Sequence, residues 1–161
     1  MDLIEAATFR SAMARLACAV TVVTTDGAAG RRGMAATAVT SVTDDPPTLL
    51  VCVNRSTRSN AMIKQNGVFA VNVLSIDQEE LVGAFSGGEG DPFARTELWD
   101  TLRTGAPILR DALSSLDCTL DQIINVGTHS LFVGQVTAKR AGTASSGLVY
   151  FDRRFVGVGE R

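Results

Sequence analysis

The stretch Thr48-Leu49-Leu50-Val51-Cys52-Val53-Asn54-Arg55-Ser56-Thr57-Arg58-Ser59-Asn60-Ala61-Met62-Ile63-Lys64-Gln65-Asn66-Gly67 decides how the chain is read. Its first six residues form a short apolar run closed by a polar turn, which predicts a β-strand. Asn54 to Asn60 is that turn, and Ala61 to Gln65 predicts a short helix stopped at Asn66-Gly67. A helix start leaves backbone N–H groups unpaired and carries a partial positive charge, so it attracts anions. Here the start is crowded with hydroxyls and flanked by Arg55 and Arg58, whose guanidinium groups can fork around phosphate oxygens. The alternative is a hydroxyl-rich N-cap satisfied internally. A plain cap, however, has no need of two cations at the positive end of a helix dipole. The turn therefore reads as a phosphate site.

Outward from this stretch the chain is mostly strand. Ala19 to Thr25 is β-branched and ends at the turn signal Asp26-Gly27. Gly33 through Val42 is a run of small and β-branched residues closed by Asp44-Asp45-Pro46-Pro47, and a double proline cannot sit in a central strand. Val68 to Leu74 predicts another strand and Asp77 to Val82 a short helix. The segment from Leu113 to Val126 precedes a turn at Gly127, followed by the alternating strand Leu131 to Thr137 and a last strand, Leu148 to Phe151. Near the N-terminus, Asp2-x-x-Glu5 has the form of a capping box, and Phe9, Met13 and Leu16 share one helical face, predicting a helix over residues 5–17. Residues 83–107 are broken by Gly83, Gly87, Gly88, Gly90, Pro92, Gly105 and Pro107 and read as a mobile surface excursion. Six or seven strands, few helices and short turns predict an antiparallel barrel or sandwich. No G-x-G-x-x-G follows a strand, which excludes Rossmann-type dinucleotide binding.

With 161 residues, 45% hydrophobic and 20% charged, the chain fits a single domain spanning 1–161 with a proper core. A net charge of −2 and scattered basic residues exclude a nucleic-acid surface. The three cysteines, Cys18, Cys52 and Cys118, stand singly in apolar runs, which fits buried thiols in a reducing compartment rather than disulfides or a metal site. Asp2 and Glu5 stand where a secretory signal carries basic residues, and no run approaches the roughly 20 apolar residues that cross a bilayer. A cytoplasmic protein with no membrane partner is expected.

Three further patches could carry chemistry. Along Met34-Ala35-Ala36-Thr37-Ala38-Val39-Thr40-Ser41, small side chains let a flat ring approach the backbone, and Thr37 and Ser41 supply donors. Tight packing against a neighbouring strand accounts for the same pattern. Gly127-Thr128-His129-Ser130 holds the only histidine; it can serve a substrate or be a solvated bystander, and with scattered cysteines it makes no metal site. In Leu148 to Phe155, Tyr150, Phe151 and Arg153 can flank a ring system or simply close the core.

Taken in order, Phe9-Arg10-x-Ala12-Met13, Thr37-Ala38-Val39-x-Ser41-Val42, Pro46-Pro47-x-Leu49 to Ser56, Gly127 to Ser130 and Leu148 to Arg153 resemble the short-chain flavin reductases of two-component monooxygenases. These belong to the FMN-binding split-barrel group, and the resemblance runs from near residue 9 to near residue 155. It is strongest to the reductase components of 4-hydroxyphenylacetate hydroxylase and of pyrimidine utilisation. The resemblance implies a mainly β protein with a few helices, an antiparallel Greek-key split β-barrel, acting as a homodimer. It implies FMN (or FAD) with the isoalloxazine along Met34, Ala35, Ala36, Thr37, Ala38, Val39 and Ser41. The phosphate would lie on Asn54, Arg55, Ser56, Thr57, Arg58, Ser59 and Asn60, with Phe85-Ser86-Gly87 bordering the flavin and His129 placing the nicotinamide of NADH or NADPH. Departures are Gly88, where a lysine often follows Phe-Ser-Gly, and Pro92-Phe93 in place of Arg-Phe. The implied activity is hydride transfer to flavin and delivery of reduced flavin to a monooxygenase. A non-enzymatic FMN-binding protein or a flavin-retaining oxidase on the same barrel are the alternatives.

Overall fold

The computed structural model describes residues 2–159. Helix α1 (Ala6–Met13) leads into β1 (Cys18–Ala19) and β2 (Thr21–Thr25), then β3 (Arg32–Ala36), β4 (Val39–Asp44), β5 (Pro47–Asn54), α2 (Arg58–Asn66) and β6 (Val68–Val73). After α3 (Glu80–Phe85) come β7 (Trp99–Thr101), β8 (Pro107–Leu109), the long β9 (Ser114–Val126) and β10 (His129–Ala141), and finally β11 (Ser146–Phe151) and β12 (Arg154–Gly159).

Seven strands form one antiparallel sheet in the order β3-β2-β6-β9-β10-β5-β4. Its two edge strands, β3 and β4, are consecutive in the chain and joined only through Thr37-Ala38. Three Cα steps span at most about 11 Å. The sheet must therefore curl until its edges nearly meet, which makes it a barrel split between β3 and β4. This is the antiparallel split barrel that the family resemblance implied, and it selects the barrel over the sandwich that the strand pattern had left open.

Alternation along the strands fills the interior with Val23, Leu49, Val51, Val53, Phe69, Val71 and Phe132. Helix α2 adds Ile63 to the same cluster. Gly134 of β10 has to be glycine, since a Cβ there would lie 2.4 Å from the Phe69 ring. A second cluster packs Leu74, Leu81, Phe85, Phe93, Trp99 and Leu148 against Val20 and Val22. A three-stranded sheet, β1-β11-β12, and the β7-β8 ribbon complete the architecture.

Five expectations need correction. The helix expected over 5–17 ends at Met13, and Glu5 at its N-cap makes no side-chain cap bond, so the capping box does not form. The run Gly33 to Val42 is two strands on opposite edges of the sheet. Residues 83–107 are ordered into α3's end, a 3-10 turn and β7, because Phe93, Trp99 and Ala106 are buried there. The chain also continues past Phe151 into β12, paired with β11. The described residues hold twelve strand segments, not six or seven.

Candidate functional site

Strand β5 ends at Asn54, and the turn that follows is built largely by its own side chains. Asn54 Oδ1 accepts from the Ser56 amide and from Ser56 Oγ, both at 2.9 Å. Thr57, the N-cap of α2, accepts from the Asn60 amide at 3.2 Å and donates to the Asn54 carbonyl at 2.8 Å. Buried Asn60 donates through Nδ2 to the Val53 carbonyl at 3.1 Å. Asn54, Thr57 and Asn60 thus shape the turn. Gly67, in the left-handed region at φ 69°, closes the far end of α2 by donating to Ile63.

What remains at the start of α2 is unspent. The Arg58 and Ser59 amides make none of the backbone bonds that tie the turn together. No acidic residue stands in the first turn, and Arg58 is exposed. Arg55 is different: its Nη1 donates to the Gly127 carbonyl at 3.2 Å and its amide to the Thr128 carbonyl at 2.9 Å.

Those carbonyls belong to the β9–β10 turn, which carries the histidine. His129 is the cross-strand partner of Asn54, so the two stand side by side on one face. Its ring is exposed, with Nδ1 2.9 Å from Thr128 Oγ1. The turn after β5 and the histidine, tied by the bond between Arg55 and Gly127, 72 residues apart, occupy one end of the barrel.

From that end, the outward residues of β5, Leu50 and Cys52, lead along the strand into a groove of about 710 Å³. Thr37, Ala38, Val39 and Thr40 form one wall, α1 another through Phe9, Arg10 and Met13, and Tyr150 and Arg153 a third. The Ala38 carbonyl accepts from the Cys52 amide at 3.0 Å, which anchors the β3–β4 link beside β5. Burial pushes the Cys52 thiol above its ordinary pKa, so it lines the groove as a neutral group. Arg153 sits in the left-handed region at φ 62° and donates to Ser11 Oγ of α1 at 3.4 Å.

The remaining expected residues divide. Met34 and Ala36 pack into the barrel core and Ala35 against the outer cluster. They lie on β3, whose other edge is free of strand partners, with α2 and α3 both packed on it. Phe85 is buried over Gly33, where a Cβ would lie 2.4 Å from its ring, and it meets Trp99 edge-on at 5.6 Å. Ser86 is the C-cap of α3, and Gly87 follows at φ 101°. This segment borders the opposite end of β3 from Thr37. Ser41 pairs with Leu49, on the other face of the sheet from Thr40, and Phe151 stands under the Arg15 guanidinium at 5.5 Å. Neither lines the groove. Lining residues not foreseen as part of a site are Phe9, Arg10, Met13, Ala14 and Leu16 of the N-terminal segment, with Cys18, Thr40, Leu50 and Cys52. The alternation in Thr48 to Val53 carried the signal for Leu50 and Cys52, since buried Leu49, Val51 and Val53 force them outward.

The chain is similar to known proteins over nearly its whole length. The family profile described as "Flavin reductase like domain" matches residues 13–159. The chain is 49% identical over 154 residues to the FMN reductase (NADH) RutF of Serratia proteamaculans, covering 94% of this chain and 87% of that one. Its fold is similar to that of BorF, the flavin reductase component of a bacterial two-component tryptophan halogenase, with a TM-score of 0.90, 32% identity and coverage of 98% and 100%. The styrene monooxygenase flavin reductase of Pseudomonas putida S12 follows with a TM-score of 0.83, 29% identity and coverage of 96% and 99%.

Proposed function

Because the chain belongs to the flavin reductase-like family, we propose that it is an NADH-dependent FMN reductase that supplies reduced flavin to a separate monooxygenase. One observation supports this above the others: β5 and β10 set the start of α2 and His129 side by side at one end of the barrel. A single bound nucleotide can then be held by its phosphate within reach of a group that serves a second ligand.

The residues present fit flavin mononucleotide. Unspent amides at Arg58 and Ser59 and the exposed Arg58 guanidinium suit a phosphate dianion, while Ser56 Oγ is engaged by Asn54 and the Ser59 side chain is buried. The link Thr37-Ala38 offers small side chains and exposed backbone to a flat ring, and the groove beyond it is mainly apolar with few polar groups, as ligand sites commonly are. FMN, when bound, supplies the acceptor for hydride from the nicotinamide. The protein's own part is alignment: the turn fixes the phosphate, the β3–β4 link supports the ring, and His129 holds the nicotinamide end by stacking or hydrogen bonding. No acid or base side chain is needed for such a transfer.

The chain acts as one flavin reductase-like unit, and we place it in the cytoplasm, where NADH is available and three free thiols stay reduced. It functions as a homodimer. Leu3, Ile4, Phe9, Met13 and Leu16 are exposed on and around α1, together with Val42 of edge strand β4, and a second copy would cover such an apolar surface. Among the described residues no helix is long and apolar enough to cross a membrane.

Absorbance at the NADH band, followed with and without added FMN, tests the proposal. Oxidation that depends on FMN is expected. Tight FMN binding without turnover of NADH or NADPH would make the protein a flavin carrier instead.

A further inference from the structure

We infer that Arg55 is a positioning residue for His129, clasping the tip of the β9–β10 hairpin rather than binding the flavin phosphate. This rests on the reading of His129 as the group that serves the nicotinamide. Val126 and His129 pair across a two-residue turn, Gly127-Thr128. Gly127 takes φ 53° while Thr128 stays out of the left-handed region, the pattern of a turn whose first central residue must be glycine. In such a turn the central peptide stands off the ladder, so the Gly127 carbonyl has no strand partner.

Arg55 takes that carbonyl through Nη1 at 3.2 Å and the neighbouring Thr128 carbonyl through its amide at 2.9 Å. One residue thereby holds both turn acceptors. The next link is Thr128 itself, whose Oγ1 lies 2.9 Å from Nδ1 of His129 and sets the orientation of the ring. A turn peptide held only by the flanking ladders has more freedom than one clasped at its central carbonyl, and small displacements of an aligning group are costly to a transfer that depends on geometry. The guanidinium of Arg55 is thus bonded to the hairpin tip that carries the histidine. Arg58 is left as the cation of the turn.

The test compares Arg55→Ala, His129→Ala and the double variant with the wild type. Removing the side-chain half of the clasp should lower the rate of reduction of pre-bound FMN at limiting NADH by about threefold to tenfold. The ratio of FMN to riboflavin affinity should stay within about twofold of wild type, because riboflavin lacks only the phosphate that Arg55 does not hold. In the His129→Ala background the same substitution should cost nothing further. Hydrogen exchange should quicken over residues 126–130 and nowhere else in Arg55→Ala. A selective loss of FMN over riboflavin would make Arg55 a phosphate ligand and overturn the inference. So would equal losses with and without His129, or unchanged exchange at the hairpin tip. A wild type that binds FMN but never oxidises NADH defeats the enzymatic reading itself, and is recognised before any variant is made.

Discussion

Two of the hollows among the described residues differ sharply in charge. The larger, about 710 Å³, lies between α1 and the β4–β5 face; Arg10 and Arg153 are its charged lining residues and no carboxylate lines it. The smaller, about 380 Å³, is lined by Asp77, Glu80 and Asp111, with Arg95 as its cation. That arginine is already engaged, at 2.8 Å from Glu80 and 3.6 Å from Glu97. A phosphate monoester carries about −1.5 to −2 charge at pH 7 and would be repelled there. The groove, by contrast, is floored by Leu50 and Cys52 of β5, the strand that ends two residues later, at Asn54, before a helix start with unspent amides and an exposed arginine. Charge and unspent donors choose between the hollows where concavity does not.

Beneath the groove lies the barrel core. Phe132 is fully buried in the barrel interior, on the strand pair whose opposite face carries Leu50 and Cys52. Phe132→Ala should lower stability by about 3–5 kcal/mol in urea denaturation. A loss below about 1 kcal/mol would mean that the groove lacks a packed floor.

Next in size is the cation of the turn. Arg58→Ala should weaken FMN binding by roughly ten- to a hundredfold, about 1.5–3 kcal/mol, and leave riboflavin affinity unchanged. Equal weakening of both ligands in a fluorescence titration would move the phosphate elsewhere. Thr57 shapes the turn without being its anion ligand in chief, so Thr57→Ala should cost about 1 kcal/mol of stability through the lost cap. If its FMN affinity fell as far as that of Arg58→Ala, Thr57 would have to touch the phosphate directly.

Least affected should be the acidic hollow. Arg95→Ala removes an exposed ion pair and should change neither the denaturation midpoint nor FMN affinity. A drop in FMN affinity in this variant would transfer the flavin to the smaller cleft.

Much of this was legible in the sequence where the signal is local. The strand-turn-helix at Thr48 to Gly67 reads directly, because a polar turn and Gly67 punctuate an alternating strand and a short helix. The hairpin ending at Gly127 reads for the same reason. The strand switch at Thr37-Ala38 does not, since Gly33 to Val42 has no periodicity and its break is imposed by which distant strands accept each half. Residues 83–107 carry the punctuation of a loop, yet Phe93 and Trp99 hold them down through a tilted ring contact at 4.8 Å. Trp99 Nε1 is buried there without a hydrogen-bond partner, so its anchoring is by packing alone. Of the candidate site, the turn and His129 were foreseen individually. Their adjacency, and the bond from Arg55 to the hairpin tip, depend on pairing between β5 and β10, which no local pattern encodes.

The placement of the flavin is tested most directly by hydrogen exchange of the wild type with and without saturating FMN. Protection is expected over residues 36–40 and 54–60, with no change over 75–80 or 109–112 at the acidic cleft. Protection at the cleft, with the α2 turn and the β3–β4 link unaffected, would contradict the account.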